Sequence, residues 1–304
     1  MLSICIPIYN HEVGTLTMEL HRQASELNIP VELQLLDDDS DVATKKKNRP
    51  LDALPFVKYA ELPENVGRSK IRNLLAKRSS YQYLLFIDCD MQVRSGEFLD
   101  QYTRYMQPGK VVCGGHRYRK TPPEHPELLH WLVGSSREVK PAAKRRERPH
   151  CSFMTANFMT DGKVLSEIGF REELNGYGHE DTLMGYALHK AGIPVHHIDN
   201  PLYHNGLEPA PAFLEKTEKS IDNLWRSYKL TGKDPVYARM VTILRTYFRL
   251  KKWGLATLLG KSSGMFLRPV AKLLRSRHPS LQLYDLYKLC LLCRIASQAS
   301  GDGR

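Results

Sequence analysis

The sequence predicts an α/β protein: a mostly parallel sheet flanked by helices, followed by a C-terminal α-helical extension. Three observations carry this. Short apolar runs alternate with stretches of helical spacing along the N-terminal third of the chain. Polar and acidic residues follow directly on three of those runs, and from about residue 212 onward the pattern is helical throughout. In open α/β sheets ligands bind beyond the carboxyl ends of the strands, so those polar residues are expected to converge on one edge.

The run LSICIPIYN, from residue 2, reads as a buried strand ending in Pro7, Ile8, Tyr9 and Asn10. Residues 15–27 place Leu16, Leu20, Ala24 and Leu27 on one side of a helix. Val31 to Leu36 is a second strand, stopped by Asp37, Asp38, Asp39, Ser40 and Asp41. A weak third strand is expected over residues 56–60 and a helix from Ser69 to Lys77. Tyr83 to Ile87 is the clearest strand and delivers Asp88, Cys89 and Asp90 at its C-terminal end. Residues 108–150, rich in proline and carrying the basic stretch Lys140 to Arg148, read as a long loop or excursion. Regular structure resumes near Phe153. A helix over Thr182 to Ala191 and a short strand over Val195 to Ile198 follow, and helices are expected near 212–229, 235–259, 264–277 and 281–298. These readings divide the chain into a domain at 1–210 and a helical extension at 211–304.

With 304 residues, 42% hydrophobic and 25% charged, and no repeat or low-complexity tract, the chain has the composition of a globular protein large enough for a full core. Its net charge of +11 is unevenly placed: residues 237–304 hold thirteen Lys or Arg against two acids, which leaves residues 1–236 balanced. No nucleic-acid-binding motif accompanies the charge, so nucleic acid is not an expected partner. No run approaches the ~18 apolar residues of a membrane span, so any membrane contact is expected to be peripheral. The six cysteines sit mostly in apolar runs, and the opening reads as a strand rather than a cleavable signal, both of which suit a reducing cytoplasm. Cys290 and Cys293 form a lone C-x-x-C without a second pair and read as small apolar helix residues.

Two carboxylates one residue apart at a strand end, Asp88 and Asp90, can face the same cation. Hard oxygen ligands suit Mg²⁺ or Mn²⁺, which also accept phosphate oxygens; a solvated acidic strand end is the competing explanation. Glu180 and Asp181 stand just before a helix and just after Gly176 and Gly178, where backbone comes close to a ligand, although acids at a helix N-terminus are also favoured electrostatically. His204, in Pro201-Leu202-Tyr203-His204-Asn205, is either a satisfied histidine or a ligand.

Taken together and in order, these segments resemble family 2 glycosyltransferases of the GT-A fold across about residues 2–206. The resemblance rests on I-P-I-Y-N at 6–10, L-L-D-D-D-S at 35–40, Asn65-Val66-Gly67 followed by Arg72-Asn73, F-I-D-C-D at 86–90, and G-F-R-E-E-L-N-G-Y-G-H-E-D at 169–181. It implies that Pro7, Tyr9, Asp38, Asn65 and Arg72 surround the nucleotide, with Asp37 an alternative for the base contact. It implies further that Asp88 and Asp90 bind the ribose and a Mn²⁺ or Mg²⁺ ion, with His204 completing the metal site. Asp181 would be the general base, Glu180 its orienting or acceptor-binding partner, and Gly176, Tyr177 and Gly178 part of the acceptor site. The implied reaction is transfer, with inversion, from a nucleotide diphosphate sugar, UDP favoured, to a glycan or lipid-linked glycan in polysaccharide or glycoconjugate synthesis. The implied place is the cytoplasm, including the cytoplasmic face of a membrane. The sequence departs from the family pattern at Asp39 (often Gly), Ile71 (often Ala) and Tyr177 (often Trp), the last bearing on acceptor stacking.

Within 239–252, Arg245, Arg249 and Lys252 fall at helical spacing beside an apolar stripe of Met240, Leu244 and Tyr247, with Phe248 and Trp253 adding aromatic character. Such a helix suits an anionic membrane surface; it equally suits a helical lid whose basic face is solvated. Two other function classes compete. A strand ending in D-x-D is also the nucleophile motif of haloacid-dehalogenase-type phosphatases, but Gln92 stands where that family wants Thr or Val, and the motif usually lies near the N-terminus. A non-catalytic nucleotide-sugar-binding or membrane-surface protein would differ in that Asp181 would not matter to turnover.

Overall fold

The computed structural model describes residues 1–174 and 176–301, without the side chains of residues 300 and 301; Asn175, inside the 169–181 segment, lies outside the described residues. The chain forms two compact units. The first comprises Met1–Arg119, Val139–Asn175 and Glu180–Gly206, the second Lys120–Glu138, Gly176–His179 and Leu207–Arg304.

In the first unit β1 (Leu2–Ile8), α1 (Gly14–Glu26), β2 (Val31–Asp37), α2 (Val42–Asn48), β3 (Val57–Glu61), α3 (Arg68–Arg78) and β4 (Tyr83–Ile87) alternate. New relative to the sequence reading are α2 and the 3-10 turn over Arg49–Ala53 that follows it. α2 is short and polar, and Asp41 caps it by accepting a hydrogen bond from Thr44 N at 2.8 Å. The chain continues through β5 (Met91–Gln92), α4 (Phe98–Thr103), β6 (Val111–Cys113) and β7 (His116–Arg117), contributes α5 (Leu128–Val133) to the second unit, and returns with α6 (Ala142–Glu147) and β8 (Asn157–Asp161). α7 (Gly162–Glu167), α8 (Glu180–Lys190), β9 (Val195–His197) and β10 (Leu202–His204) complete this unit. The stretch 108–150 is therefore not a plain loop. Its strand β6 has only three residues, too few to show a period, and exists because it pairs with β8 on one side and β9 on the other.

Seven strands form one sheet in the order β3-β2-β1-β4-β8-β6-β9, parallel except that β8 runs antiparallel to both its neighbours. β1 is covered on both faces, which is why it reads as a near-continuous apolar run; β2 is buried along its whole length as well, although Glu32 and Gln34 alternate with its apolar residues. Ile4, Ile6, Ile8, Leu33, Leu35 and Ile87 join Leu16 and Leu20 of α1 in one core cluster, whereas Cys5, Leu36, Leu84 and Phe86 join Ile71 and Leu75 of α3 in the other. β5, β10 and β7 make a second, three-stranded sheet.

The second unit holds α5 together with α9 (Ala210–Leu230), α10 (Pro235–Met240), α11 (Thr242–Lys252), α12 (Leu255–Leu274) and α13 (Leu281–Gly301). The single helix expected over 235–259 is cut twice. Val241 is extended (φ −104°, ψ 117°), and Gly254 takes the left-handed conformation (φ 72°) that ends α11. The helix expected from residue 264 accordingly starts at Leu255. Cys290 and Cys293 are buried free thiols on α13. Among the described residues no helix is long and apolar enough to cross a membrane.

Candidate active site

The loops that follow β1 and β2 are laced together. Asn10, at φ 49°, donates from its backbone to Ser40 Oγ at 2.8 Å, and its side-chain Oδ1 accepts from Asp41 N at 2.8 Å. Pro7 is half-buried in β1 and Tyr9 is exposed just beyond it. Asp37 is fully buried and serves the loop itself: Oδ1 accepts from Ser40 N at 2.7 Å and Oδ2 from the Tyr59 hydroxyl at 3.2 Å. Asp38 reaches the start of α3, its two oxygens accepting from Val66 N (2.7 Å) and Gly67 N (3.0 Å). Burial pushes the Asp38 carboxyl up, against those two bonds. Gly67 sits at φ 84°, where a side chain would be strained, and exposed Asn65 donates to the Asp38 carbonyl at 2.9 Å.

Asp38 thus anchors the start of α3, whose first turns carry Arg68 and Arg72 four residues apart on one face. Arg72 is buried; its Nη2 donates to Asp88 Oδ1 at 2.5 Å, and its Nη1 donates to the Arg68 carbonyl at 2.9 Å. Arg68 donates from Nη2 to Asp88 Oδ2 at 3.3 Å and from Nε to Glu180 Oε1 at 2.5 Å. Two guanidinium groups therefore join the end of β4 to the first turn of α8. Arg68 was not among the residues singled out from sequence. The available signal was its i, i+4 relation to Arg72, which names a shared face without naming what the face meets.

Glu180 and Asp181 are adjacent yet oppositely tuned. Burial alone would raise Glu180, but the charges of Arg68 and Arg72 and the hydrogen bond from Arg68 outweigh it and hold its pKa near about 2. Asp181 is raised to about 6, by burial first and then by the Glu180 charge beside it. Its Oδ1 accepts from Thr182 N at 2.6 Å and from Thr182 Oγ1 at 3.2 Å.

Asp90 lies in a different setting. β5 and β10 pair antiparallel with Met91 opposite His204, which sets the His204 ring beside Asp90, Nε2 to Oδ2 at 3.2 Å. Asn205 N donates to the Asp90 carbonyl at 3.0 Å. Gly206 passes so close that a Cβ there would lie 2.7 Å from Asp90 Oδ2. Burial would raise the Asp90 carboxyl, but the hydrogen bond and charge of His204, with Arg68 and His11 farther off, hold it well below the usual carboxylate range. Asp90 Oδ1 is buried and has no hydrogen-bond partner among the described residues. A cleft of about 580 Å³ opens beside it, bordered by His11, Glu12, Cys89, Arg94 and Asn205.

Of the residues expected to hold a cation, the structure brings Asp90 and His204 together and turns Asp88 to the arginines. Among the described residues no three His, Cys, Asp or Glu side chains converge as a cage. A carboxylate with a spare buried oxygen next to an imidazole still fits Mn²⁺ or Mg²⁺, because such ions complete their shells with water and phosphate oxygens. Gly176, Tyr177 and Gly178 belong to the second unit. There Asn223 Nδ2 of α9 donates to the Tyr177 carbonyl at 3.2 Å, Lys216 Nζ lies 5.2 Å from the Tyr177 ring centroid, and both glycines adopt positive φ.

The model of glycosyl transferase family 2 matches residues 3–169, more than half of the chain, and the chain belongs to that family. This sets aside the phosphatase alternative. Validoxylamine A glucosyltransferase of Streptomyces hygroscopicus subsp. limoneus is 28% identical over 233 residues, 64% of this chain and 49% of that protein, so the chain spans about half the length of the relative it matches. Among solved structures, the mannosyltransferase PcManGT of Pyrobaculum calidifontis, in complex with GDP-Man and Mn²⁺, superposes with a TM-score of 0.60 at 14% identity, covering 100% of this chain and 88% of that one. Glucosyl-3-phosphoglycerate synthase of Mycobacterium tuberculosis, in complex with Mn²⁺, UDP and glucosyl-3-phosphoglycerate, gives 0.52 at 17% identity, covering 75% and 79%. At these identities the likeness speaks for the fold: a GT-A sheet with a helical C-terminal region.

Proposed function

We propose that the protein is an inverting glycosyltransferase that moves a sugar from a nucleotide diphosphate donor, UDP favoured, to the hydroxyl of a glycan or lipid-linked glycan. The observation that carries this is the arrangement at the start of α8, where Arg68 binds both Glu180 and Asp88 while buried Asp181 takes its hydrogen bonds from Thr182, a setting that holds Glu180 down and pushes Asp181 up to about 6. Paired acids pushed apart by their surroundings mark distinct roles in proton transfer. Asp181 is ionised at neutral pH yet basic enough to take the acceptor proton, and Glu180, saturated by Arg68, stays charged and orients the start of α8.

The remaining residues take up the donor. Tyr9 is exposed beside the lashed 37–41 loop and offers a face to the base, while Pro7, Asp37, Asp38, Asn65 and Arg72 shape the nucleotide edge from behind. Asp88, clamped on both oxygens, holds the two arginines where a ribose and diphosphate would lie. Asp90 and His204 would hold the Mn²⁺ or Mg²⁺ ion. When bound, that ion supplies charge neutralisation for the departing diphosphate. Gly176, Tyr177 and Gly178 are proposed acceptor contacts. Support for the donor class comes from family membership and from the relatives solved with GDP-Man or with UDP. Polysaccharide or glycoconjugate synthesis on the cytoplasmic face of a membrane is the proposed setting.

The test is calorimetric titration of UDP-, GDP- and CMP-sugars into the protein with Mn²⁺ and with EDTA, alongside Asp90→Ala. One nucleotide sugar is expected to bind with metal, and weakly or not at all with EDTA or in the variant. Identical behaviour of wild type and variant, with no nucleotide sugar bound, would remove the reading.

A further inference from the structure

The apolar stripe that the sequence places on 239–252 is not available to a partner. Leu244 and Tyr247 are buried within the second unit, Tyr247 edge-on to Trp225 at 5.6 Å, and only the cationic side of α11 with Arg245 and Arg249 faces solvent. The exposed apolar surface lies on the next helix. Ala256, Gly260, Ser263, Leu267 and Leu274 are the buried face of α12, which packs on α13. Gly260 is required there, since a Cβ would lie 2.7 Å from the Cys293 carbonyl.

At about 100° per residue, Leu255, Leu258, Met265, Phe266 and Leu273 fall within one arc pointing away from that buried face. All five are exposed, Met265 and Leu258 at 72% and 63%. Trp253, 78% exposed, extends the surface at the N-terminal end. Lys261, Arg268 and Lys272 line one edge of the arc and are likewise exposed. The fifty residues from Pro235 to Tyr284 contain ten Lys or Arg and no Asp or Glu.

We infer that the outer face of α12, with Trp253, docks on the surface of an anionic lipid bilayer, the helix lying in the interface plane. The occupant follows from charge and chemistry together. A run of fifty residues with ten cations and no carboxylate, three of those cations at the edge of the arc, favours an anionic partner. An apolar arc of Leu, Met, Phe and Trp needs a partner that accepts hydrocarbon, which phosphate backbones do not. The row of cations at one edge suits lipid headgroups while the apolar residues enter the acyl boundary. This inference stands independently of the proposed transfer reaction, because the face is defined without reference to any residue of the active site.

The test uses the full chain, vesicles of phosphatidylcholine with and without about one-third phosphatidylglycerol, and no nucleotide sugar. Flotation with the anionic vesicles alone is expected, accompanied by a blue shift of tryptophan emission that is lost in Trp253→Ser. Met265→Ser/Phe266→Ser is expected to weaken binding by about tenfold or more, and Lys261→Glu/Arg268→Glu/Lys272→Glu by about a hundredfold, with circular dichroism melts unchanged because every substituted side chain is exposed. Absence of flotation would overturn the proposal, as would binding indifferent to Met265→Ser/Phe266→Ser. So would a dimer in light scattering that this variant dissociates, which would make a second copy the occupant, or tight duplex DNA binding that the variant leaves intact.

Discussion

Asp88 and Asp90 leave the same strand two residues apart and end in opposite surroundings. Asp88 meets two guanidinium groups from α3, and both its oxygens are taken. Asp90 meets one imidazole from β10 and keeps a buried oxygen without a hydrogen-bond partner among the described residues. The same contrast repeats at the start of α8, where Glu180 is saturated by arginine and Asp181, next to it, is not. Residue type therefore does not assign roles in this site. The saturated carboxylates build the frame, and the unsaturated ones are left with capacity for an ion or a proton.

The comparison breaks most sharply at Asp181. Replacing it with Asn is expected to lower kcat by about two to four powers of ten while leaving donor binding by calorimetry intact. The wild-type rate should fall as pH drops through about 6, because protonation there removes the base. The linkage signs of the acid pair are opposite. Glu180, held below its ordinary value, contributes stability that is present above pH about 4.5 and lost as pH falls through about 2. Asp181, raised above its ordinary value, favours the fold only as pH falls below about 6, so Asp181→Asn should stabilise the protein more at pH 7 than at pH 4 in urea melts. A profile without an inflection near 6, or equal stabilisation at both values, would remove the distinction between the two acids.

Next in size is the frame. Arg72→Met leaves the half-buried end of Asp88 with only the more exposed Arg68, and is expected to cost about 3–5 kcal/mol in denaturant titrations. A loss under 1 kcal/mol would show that Arg68 alone suffices. The smallest effect is expected at the ion side, where His204→Ala should weaken Mn²⁺ binding by about 10–100-fold without lowering Tm comparably. If Tm falls instead and metal affinity holds, His204 belongs to the frame, and the contrast with Asp88 fails.

Part of this was legible from residues alone. The alternation through β4, the arrival of Asp88 and Asp90 at a strand end, and the helical tail all follow from patterns within one segment, where period and composition report directly on burial. The strand β6 and the break at Val241 were less accessible, since a three-residue strand is made by its neighbours and an extended residue between helices by what packs around it.

By itself the sequence determined the α/β order, the family and which carboxylates are proposed to carry the chemistry, because local spacing and residue type are properties of a stretch of chain. Only the tertiary structure decided that Arg68 reaches Glu180 112 positions away while also holding Asp88, that His204 stands opposite Met91, and that α12 rather than α11 keeps an exposed apolar face. Those outcomes depend on which surfaces meet, and a surface consumed in packing has the same sequence as one left for a partner.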